Sequence, residues 1–306
     1  MVARSKDEAP RVLVVRPGAL GDLVLAEPAV RRLREAGACV SLAVSGRLVT
    51  FARACLGADE VLDFDAPPFG RLFGGEPPAE LSRFDAALVF LAGCPADVAV
   101  RLASSGIGRV ELAEPSPREG SGVHAADHLA QAVKRLGLSP ALEAEAVPRV
   151  EVAPAGLEDV PRPVLAVHPG AGSAAKCWPA QRFAAVAARW REARGGGVAL
   201  VEGEADASTA AAFLESFRPD AHLAHRPLAE LASALAGADA YLGNDSGVTH
   251  LAAAAGARVV ALFGPTDARL WAPRGERVTV LCADSGRLAD LDVEAVTAAA
   301  MQGTAA

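Results

Sequence analysis

Short aliphatic runs alternate along the chain with Ala-, Leu- and Arg-rich stretches of helical spacing, the pattern of parallel strands joined by crossover helices. In the first half the pattern predicts strands at 12–15, 40–44, 86–90 and 109–112, with helices near 23–35, 47–56, 95–103 and 124–136. In the second half it predicts strands at 164–167, 198–201, 240–242, 259–263 and 278–281, with helices near 179–192, 207–217, 228–236 and 246–255. The apolar segments are four or five residues long with little period-2 alternation, as strands covered on both faces require. Residues 64–81, rich in Gly and Pro, read as a long surface loop, and 302–306 as a frayed end. The predicted class is α/β, with two parallel-sheet domains in tandem.

Composition supports this division. The chain has 306 residues, 51% apolar, 22% charged and 5% aromatic, a globular profile long enough for two cores. Pro140, Pro148, Pro154, Pro161 and Pro163 crowd the middle, where neither a continuous helix nor a central strand tolerates them. That stretch is expected to join domains 1–150 and 151–306. Thirty basic and 37 acidic residues leave a net charge of −7, and the halves carry 17 against 19 and 13 against 18, so nucleic acid is not an expected partner. Five scattered cysteines without a C-x-x-C argue against a disulfide framework or a zinc knuckle and suit a reducing cytosol. No run approaches the ~18 apolar residues of a membrane span, and residues 1–10 lack a signal-peptide core, so the chain reads as soluble and unexported.

Chemistry concentrates where strands meet helices. After the first strand comes Arg16-Pro17-Gly18-Ala19-Leu20-Gly21-Asp22. Gly18 and Gly21 allow another molecule close to the backbone, and Asp22 fits either a helix N-cap or a general base. The second domain opens with His168-Pro169-Gly170-Ala171-Gly172-Ser173-Ala174-Ala175-Lys176-Cys177-Trp178-Pro179. Pro179 suits a first helical position, which would lay the Gly-Ala-Gly-Ser segment over a helix N-terminus, an anion site. Lys176 is one of only three lysines in a chain that otherwise uses arginine, which suits a compact ammonium held against a diphosphate, although a solvated surface lysine is the bland reading.

The Walker pattern fails here, because Ala175 precedes Lys176 and Cys177 follows it. Gly170 through Ala175 does spell G-x-G-x-x-A, and Glu202 and Glu204 end the next strand, so a nicotinamide-dependent dehydrogenase stays open. A third motif, Gly243-Asn244-Asp245-Ser246-Gly247-Val248-Thr249-His250, reads as a second helix-start anion cradle or as a cap followed by a core histidine. Leu262 to Asp267 supplies a turn on the same rim. Asp63-Phe64-Asp65 and Asp290-Leu291-Asp292 match an Asp-x-Asp spelling, but both sit at loop or cap positions, and no metal site is expected.

Taken in order, Arg16–Asp22, His124-Ala125-Ala126-Asp127, His168–Pro179, Gly243–His250 and Ala261–Asp267 resemble glycosyltransferase family 9, the ADP-heptose:lipopolysaccharide heptosyltransferases. The resemblance implies the GT-B architecture: two facing Rossmann-like domains, with the acceptor on 1–150, the nucleotide-sugar donor on 151–306, and transfer in the cleft between them. It implies that Asp22 is the catalytic base of an inverting transfer, with Arg16, Gly18 and Gly21 on the acceptor side. Gly170, Gly172, Ser173, Lys176, Asp245, Ser246, Gly247 and His250 would hold the donor and its diphosphate without metal or other cofactor. The family's ribose-binding Glu falls near Ala205, which leaves Glu204 and Asp206 as candidates, and Val248-Thr249 and Cys177 stand where the family has Pro-Met and Arg.

The implied partners are a nucleotide sugar, ADP-heptose above all, and a saccharide or glycolipid acceptor of the lipopolysaccharide-core type. The implied location is cytoplasmic, with transient, peripheral association at the cytoplasmic face of the inner membrane. A non-catalytic sugar-nucleotide-binding protein is the remaining alternative.

Overall fold

The computed structural model describes residues 9–138 and 145–302. The chain divides into two compact units, Met1–Ala146 and Val147–Ala306. Unit 1 runs β1 (Arg11–Val15), α1 (Leu20–Glu35), β2 (Cys39–Val44), α2 (Val49–Cys55), β3 (Glu60–Asp63), β4 (Ala86–Phe90), α3 (Ala96–Ser104), β5 (Arg109–Ala113) and α4 (Ala125–Ala132). Its described strands form a parallel sheet in the order β3-β2-β1-β4-β5. The chain leaves β1 for one neighbour and later returns to the other, so the carboxyl end of β1 is the switch point where open α/β sheets form a crevice.

Unit 2 runs β6 (Leu165–His168), α5 (Ala180–Arg194), β7 (Val198–Glu202), α6 (Ala207–Leu214), β8 (Ala221–Ala224), α7 (Leu228–Gly237), β9 (Ala240–Asn244), α8 (Gly247–Ala254), β10 (Val259–Phe263), α9 (Ala268–Trp271), β11 (Val278–Cys282) and α10 (Val293–Met301). Its sheet, also parallel, has the order β11-β10-β9-β6-β7-β8, and the switch point lies between β6 and β9. The central strands β4, β6 and β10 are buried along their whole length, which explains their unbroken apolar runs. One core of unit 2 gathers Trp178, Phe183, Trp190 and Phe213 beside the aliphatic residues of β6 and β7.

The sequence pattern did not predict β3 or β8. Both are four-residue edge strands, Glu-Val-Leu-Asp and Ala-His-Leu-Ala, and each buries only one residue fully. An edge strand meets water along one side and needs no continuous apolar run. Residues 64–81 are also more than a surface loop, because Phe69, Leu72 and Leu81 enter the core of unit 1 beside Val98 and Leu102. Helix α10 was likewise unpredicted. Its Ala-rich sequence packs against unit 2 through Val296, Ala299 and Ala300. The proline-rich stretch from Val150 onward is tied to unit 2, with the Val150 amide donating to Ala254 O at 3.1 Å and the Gly197 amide to Pro161 O at 2.7 Å. Pro140 lies outside the described residues, as do 303–306.

Candidate active site

At the switch point of unit 1, α1 starts at Leu20, earlier than its hydrophobic pattern indicates, and this changes what Asp22 does. Its N-cap is Ala19, so Asp22 stands inside the first turn. There Asp22 Oδ2 accepts the Ala19 amide at 3.0 Å and Oδ1 accepts Arg16 Nη2 at 3.0 Å. A carboxylate next to a helix start is favoured by the helix dipole. The Arg16 guanidinium, only 4% exposed, also donates to Pro115 O at 3.2 Å. Burial pushes the Arg16 pKa down and Asp22 pulls it back up. Gly18 is required by this packing, since a Cβ there would lie 2.8 Å from Asp22 Cβ. Gly21 is in the first turn of α1 beside Asp22. Two of the roughly four lone-pair positions of a carboxylate are engaged, and the Asp22 side chain is 36% exposed. Asp22 is held in one orientation with part of its carboxylate open to solvent.

At the switch point of unit 2, β6 and β9 lie side by side with His168 opposite Gly243, so the loops that leave their ends are neighbours. Asn244, fully buried, clamps them. Its amide group donates to Pro169 O at 2.9 Å and Gly170 O at 3.3 Å, and its carbonyl accepts the Trp178 amide at 3.0 Å. Trp178, fully buried, packs edge-on against Phe183 at 5.1 Å and anchors the far end of the loop. Between these anchors Gly172 and Ser173 are exposed, and a short 3-10 turn, Ala174–Lys176, presents the lysine. Pro179 is the N-cap of α5 and not its first helical residue, so the Gly-Ala-Gly-Ser segment is separated from that helix by the 3-10 turn. In a dinucleotide fingerprint the glycine turn opens the helix directly. The G-x-G-x-x-A spelling therefore lacks its structural context here.

The loop brings Lys176 to the start of α8. Lys176 Nζ donates to Asp245 Oδ2 at 2.8 Å, the Asp245 side chain being 9% exposed and that of Lys176 35%. The next residue, Ser246, is the N-cap of α8, and its Oγ accepts the Thr249 amide at 3.3 Å. The amides of Gly247 and Val248, at the first turn, have no intrahelical acceptor. An ammonium and a helix start thus adjoin, the arrangement that neutralises an oxyanion. His250 is buried within α8 at 7% exposure.

Behind this surface lies a buried polar network that residue spacing did not reveal. Asp206 Oδ2 accepts His168 Nε2 at 2.8 Å and the Gly203 amide at 2.9 Å, and His168 Nδ1 lies 3.3 Å from Ser246 Oγ. Burial pushes the Asp206 carboxyl up, but the bond from His168, the attraction that ring exerts when protonated and the Gly203 amide outweigh burial and leave it below the usual carboxylate value. Asp206, a ribose candidate from sequence, is thereby turned inward, 7% exposed, whereas Glu204 is exposed. Glu202 is engaged by His222 at 2.6 Å. Tyr241, the chain's one tyrosine, and Asn244 stand in or beside the Gly243–His250 motif but carried no reading of their own in the sequence.

Gly170 is fixed by the same network: a Cβ there would fall 2.0 Å from Asp206 Oδ1. Gly170→Ala is expected to cost about 1–3 kcal/mol, the range for forcing an extra methyl into a packed site. Calorimetry should show a lower melting temperature, and Gly170→Ala/Asp206→Ala should recover part of the loss. A melting temperature equal to the wild type's would refute the contact.

Among the described residues no group of three His, Cys, Asp or Glu side chains is placed to hold a metal. Asp65 of the first Asp-x-Asp instead accepts the Gly46 amide at 2.8 Å, and Asp290 of the second pairs with Arg287 at 3.0 Å. No described helix is long and apolar enough to cross a membrane.

Solved structures share the fold along nearly the whole chain. E. coli ADP-heptose lps heptosyltransferase II superposes with a TM-score of 0.76 at 18% identity, covering 94% of this chain and 97% of that one. The glycosyl transferase family 9 protein of Veillonella parvula DSM 2008 gives 0.76 at 19%, covering 95% and 96%. E. coli heptosyltransferase WaaC with ADP gives 0.71 at 19%, covering 94% and 98%. These likenesses assign the α/β fold of GT-B heptosyltransferase structures. No curated protein matches the sequence. The sequence model of Glycosyltransferase family 9 (heptosyltransferase) matches residues 124–299, from the His124 cap of α4 into α10 and across the whole loop system of unit 2. Because that match takes in more than half of the chain, the protein belongs to glycosyltransferase family 9 and is a glycosyltransferase.

Proposed function

We propose that the protein is an inverting, metal-independent glycosyltransferase that moves heptose from ADP-heptose to a saccharide or glycolipid acceptor of the lipopolysaccharide-core type. The observation that carries this reading is the 2.8 Å contact of Lys176 with Asp245, which sets an ammonium beside the start of α8. In the reaction, the acceptor hydroxyl gives its proton to Asp22 as its oxygen bonds to the anomeric carbon. The bond from that carbon to the phosphate oxygen breaks, and its electron pair stays on the diphosphate. Lys176 and the amides of Gly247 and Val248 meet that charge, a task otherwise given to a divalent cation. Gly170, Gly172 and Ser173 form the loop over the donor, Ser246 and His250 flank the diphosphate, Asp245 holds Lys176 in place, and Glu204 is the ribose candidate that faces solvent. Arg16, Gly18 and Gly21 shape the turn that aims Asp22 at the acceptor. Unit 1 is thus the acceptor unit and unit 2 the donor unit.

ADP as the nucleotude carrier is supported by the solved WaaC complex with ADP. A cytoplasmic enzyme that visits the membrane surface would suit a glycolipid acceptor. Family membership does not favour the nicotinamide alternative. A thermal-shift screen across ADP-, UDP- and GDP-sugars, followed by a transfer assay with the stabilising donor, tests the reading, since a ligand that binds only the native form raises apparent stability. ADP-heptose is expected to stabilise and to be consumed only with acceptor present, equally with and without EDTA. Stabilisation by the donor without transfer or hydrolysis would instead identify a non-catalytic binder, and loss of turnover in EDTA would refute metal independence.

A further inference from the structure

Ser246 has one hydroxyl proton and two acceptors in reach, and the choice between them is made deeper in unit 2. Its Oγ lies 3.3 Å from His168 Nδ1 and 3.1 Å from Thr249 Oγ1. The Thr249 hydroxyl donates to the Asn244 carbonyl, and the buried Tyr241 hydroxyl reaches Thr249 Oγ1 at 3.0 Å. Asp206, an acceptor only, fixes a proton on His168 Nε2. With a neutral ring, Nδ1 accepts and the Ser246 proton points inward; Oγ also accepts the Thr249 amide at 3.3 Å, and its one remaining lone pair repels a phosphate oxygen. With a second proton on the ring, Nδ1 donates to Ser246 Oγ, and the hydroxyl is released from His168 to Thr249 Oγ1 at 3.1 Å or, once an anion stands in front of it, to that anion.

We infer that His168 is a positioning residue whose protonation is coupled to diphosphate binding: the arriving anion draws a proton from solvent onto His168 Nδ1 and turns the Ser246 hydroxyl from an inward to an outward donor. The inference rests on the donor reading above. The site is built for it, since the His168 side chain is 3% and that of Asp206 9% exposed, so the imidazolium has a counter-ion already in contact. The other titratable groups around it do not take that proton. Burial pushes both the Tyr241 hydroxyl and the Cys177 thiol up, so both stay neutral and protonated, and Lys176 is already paired with Asp245. His250, on α8, is the second imidazole at this end of unit 2 and must be tested separately.

Titration calorimetry of ADP into the full chain at pH 7.5, in buffers of differing ionisation enthalpy, reads the proton uptake directly. Wild type is expected to take up more protons per ADP than His168→Gln, whose side chain cannot titrate. The sign follows: binding that adds a proton weakens as protons become scarce, so wild-type affinity should fall more steeply with rising pH than that of the variant. Equal uptake in the two proteins overturns the inference, as does loss of uptake in His250→Gln but not in His168→Gln. Should His168→Gln fail to fold, the 15N signals of the His168 ring in wild type decide: a change from one protonated nitrogen to two on adding ADP supports the coupling, and an unchanged ring overturns it. Absence of any ADP binding to wild type would remove the donor reading and this inference with it, a result distinct from binding that carries no proton.

Discussion

Asp22→Asn is expected to lower turnover by roughly 10²–10⁴-fold, the range a positioned general base supplies, while ADP affinity stays within about twofold of wild type. The substitution is nearly isosteric. The asparagine carbonyl can still accept the Ala19 amide, now bonded to Asp22 Oδ2 at 3.0 Å. Its amide group cannot accept from Arg16, so the 3.0 Å ion pair is lost. Arg16 keeps its bond to Pro115 O but loses its counter-ion at 4% exposure, so the melting temperature should fall as well. Single-turnover rates with saturating donor separate this from a binding defect. A variant that turns over at the wild-type rate would leave Asp22 a helix-start residue and nothing more.

Lys176→Ala is expected to weaken ADP binding about 10–100-fold and to leave adenosine binding unchanged. Hydrogen bonds to charged groups are worth ~1.5–3 kcal/mol, and ~1.4 kcal/mol is a factor of ten. The loss has two parts. The ammonium is gone, and the Asp245 carboxylate, 9% exposed and formerly paired at 2.8 Å, is left as an uncompensated negative charge beside the incoming diphosphate. Lys176→Ala/Asp245→Ala should therefore bind ADP better than Lys176→Ala alone, and Lys176→Arg should not restore the wild type, because a planar fork does not occupy the place of a compact ammonium. Calorimetry with ADP and adenosine in parallel checks both statements. Equal weakening of the two ligands would exclude contact with the phosphates.

The coupled behaviour of Lys176 and Asp245 shows what could be read in advance. The sequence marked both residues, one as a rare lysine in a glycine loop and the other in a capping motif. The family resemblance set both at the donor diphosphate, yet a carboxylate repels a phosphate. The 2.8 Å contact between them turns the Asp245 carboxylate to Lys176 instead. Asp206 shifted in the same way, from a ribose candidate to the partner of His168. The side chains that hold the site together, Asn244 and Trp178, carried no separate signal, because a buried amide or indole looks the same in a sequence whether it clamps a loop or fills a core.

The chain's own sequence determined the α/β alternation, the central strands, the glycine turns at their carboxyl ends and the Ser246 cap that starts α8. All of these depend on short-range chemistry: apolar runs for strands covered on both faces, backbone freedom at glycine, and the first-turn amides that a nearby carboxylate or hydroxyl satisfies. Only the tertiary structure decided which of those residues meet. Lys176 and Asp245 are 69 positions apart, and His168 and Ser246 are 78. They meet because β6 and β9 are neighbours with His168 opposite Gly243. Strand order and register are chosen by the packing of the whole sheet, and no local pattern of residues encodes them.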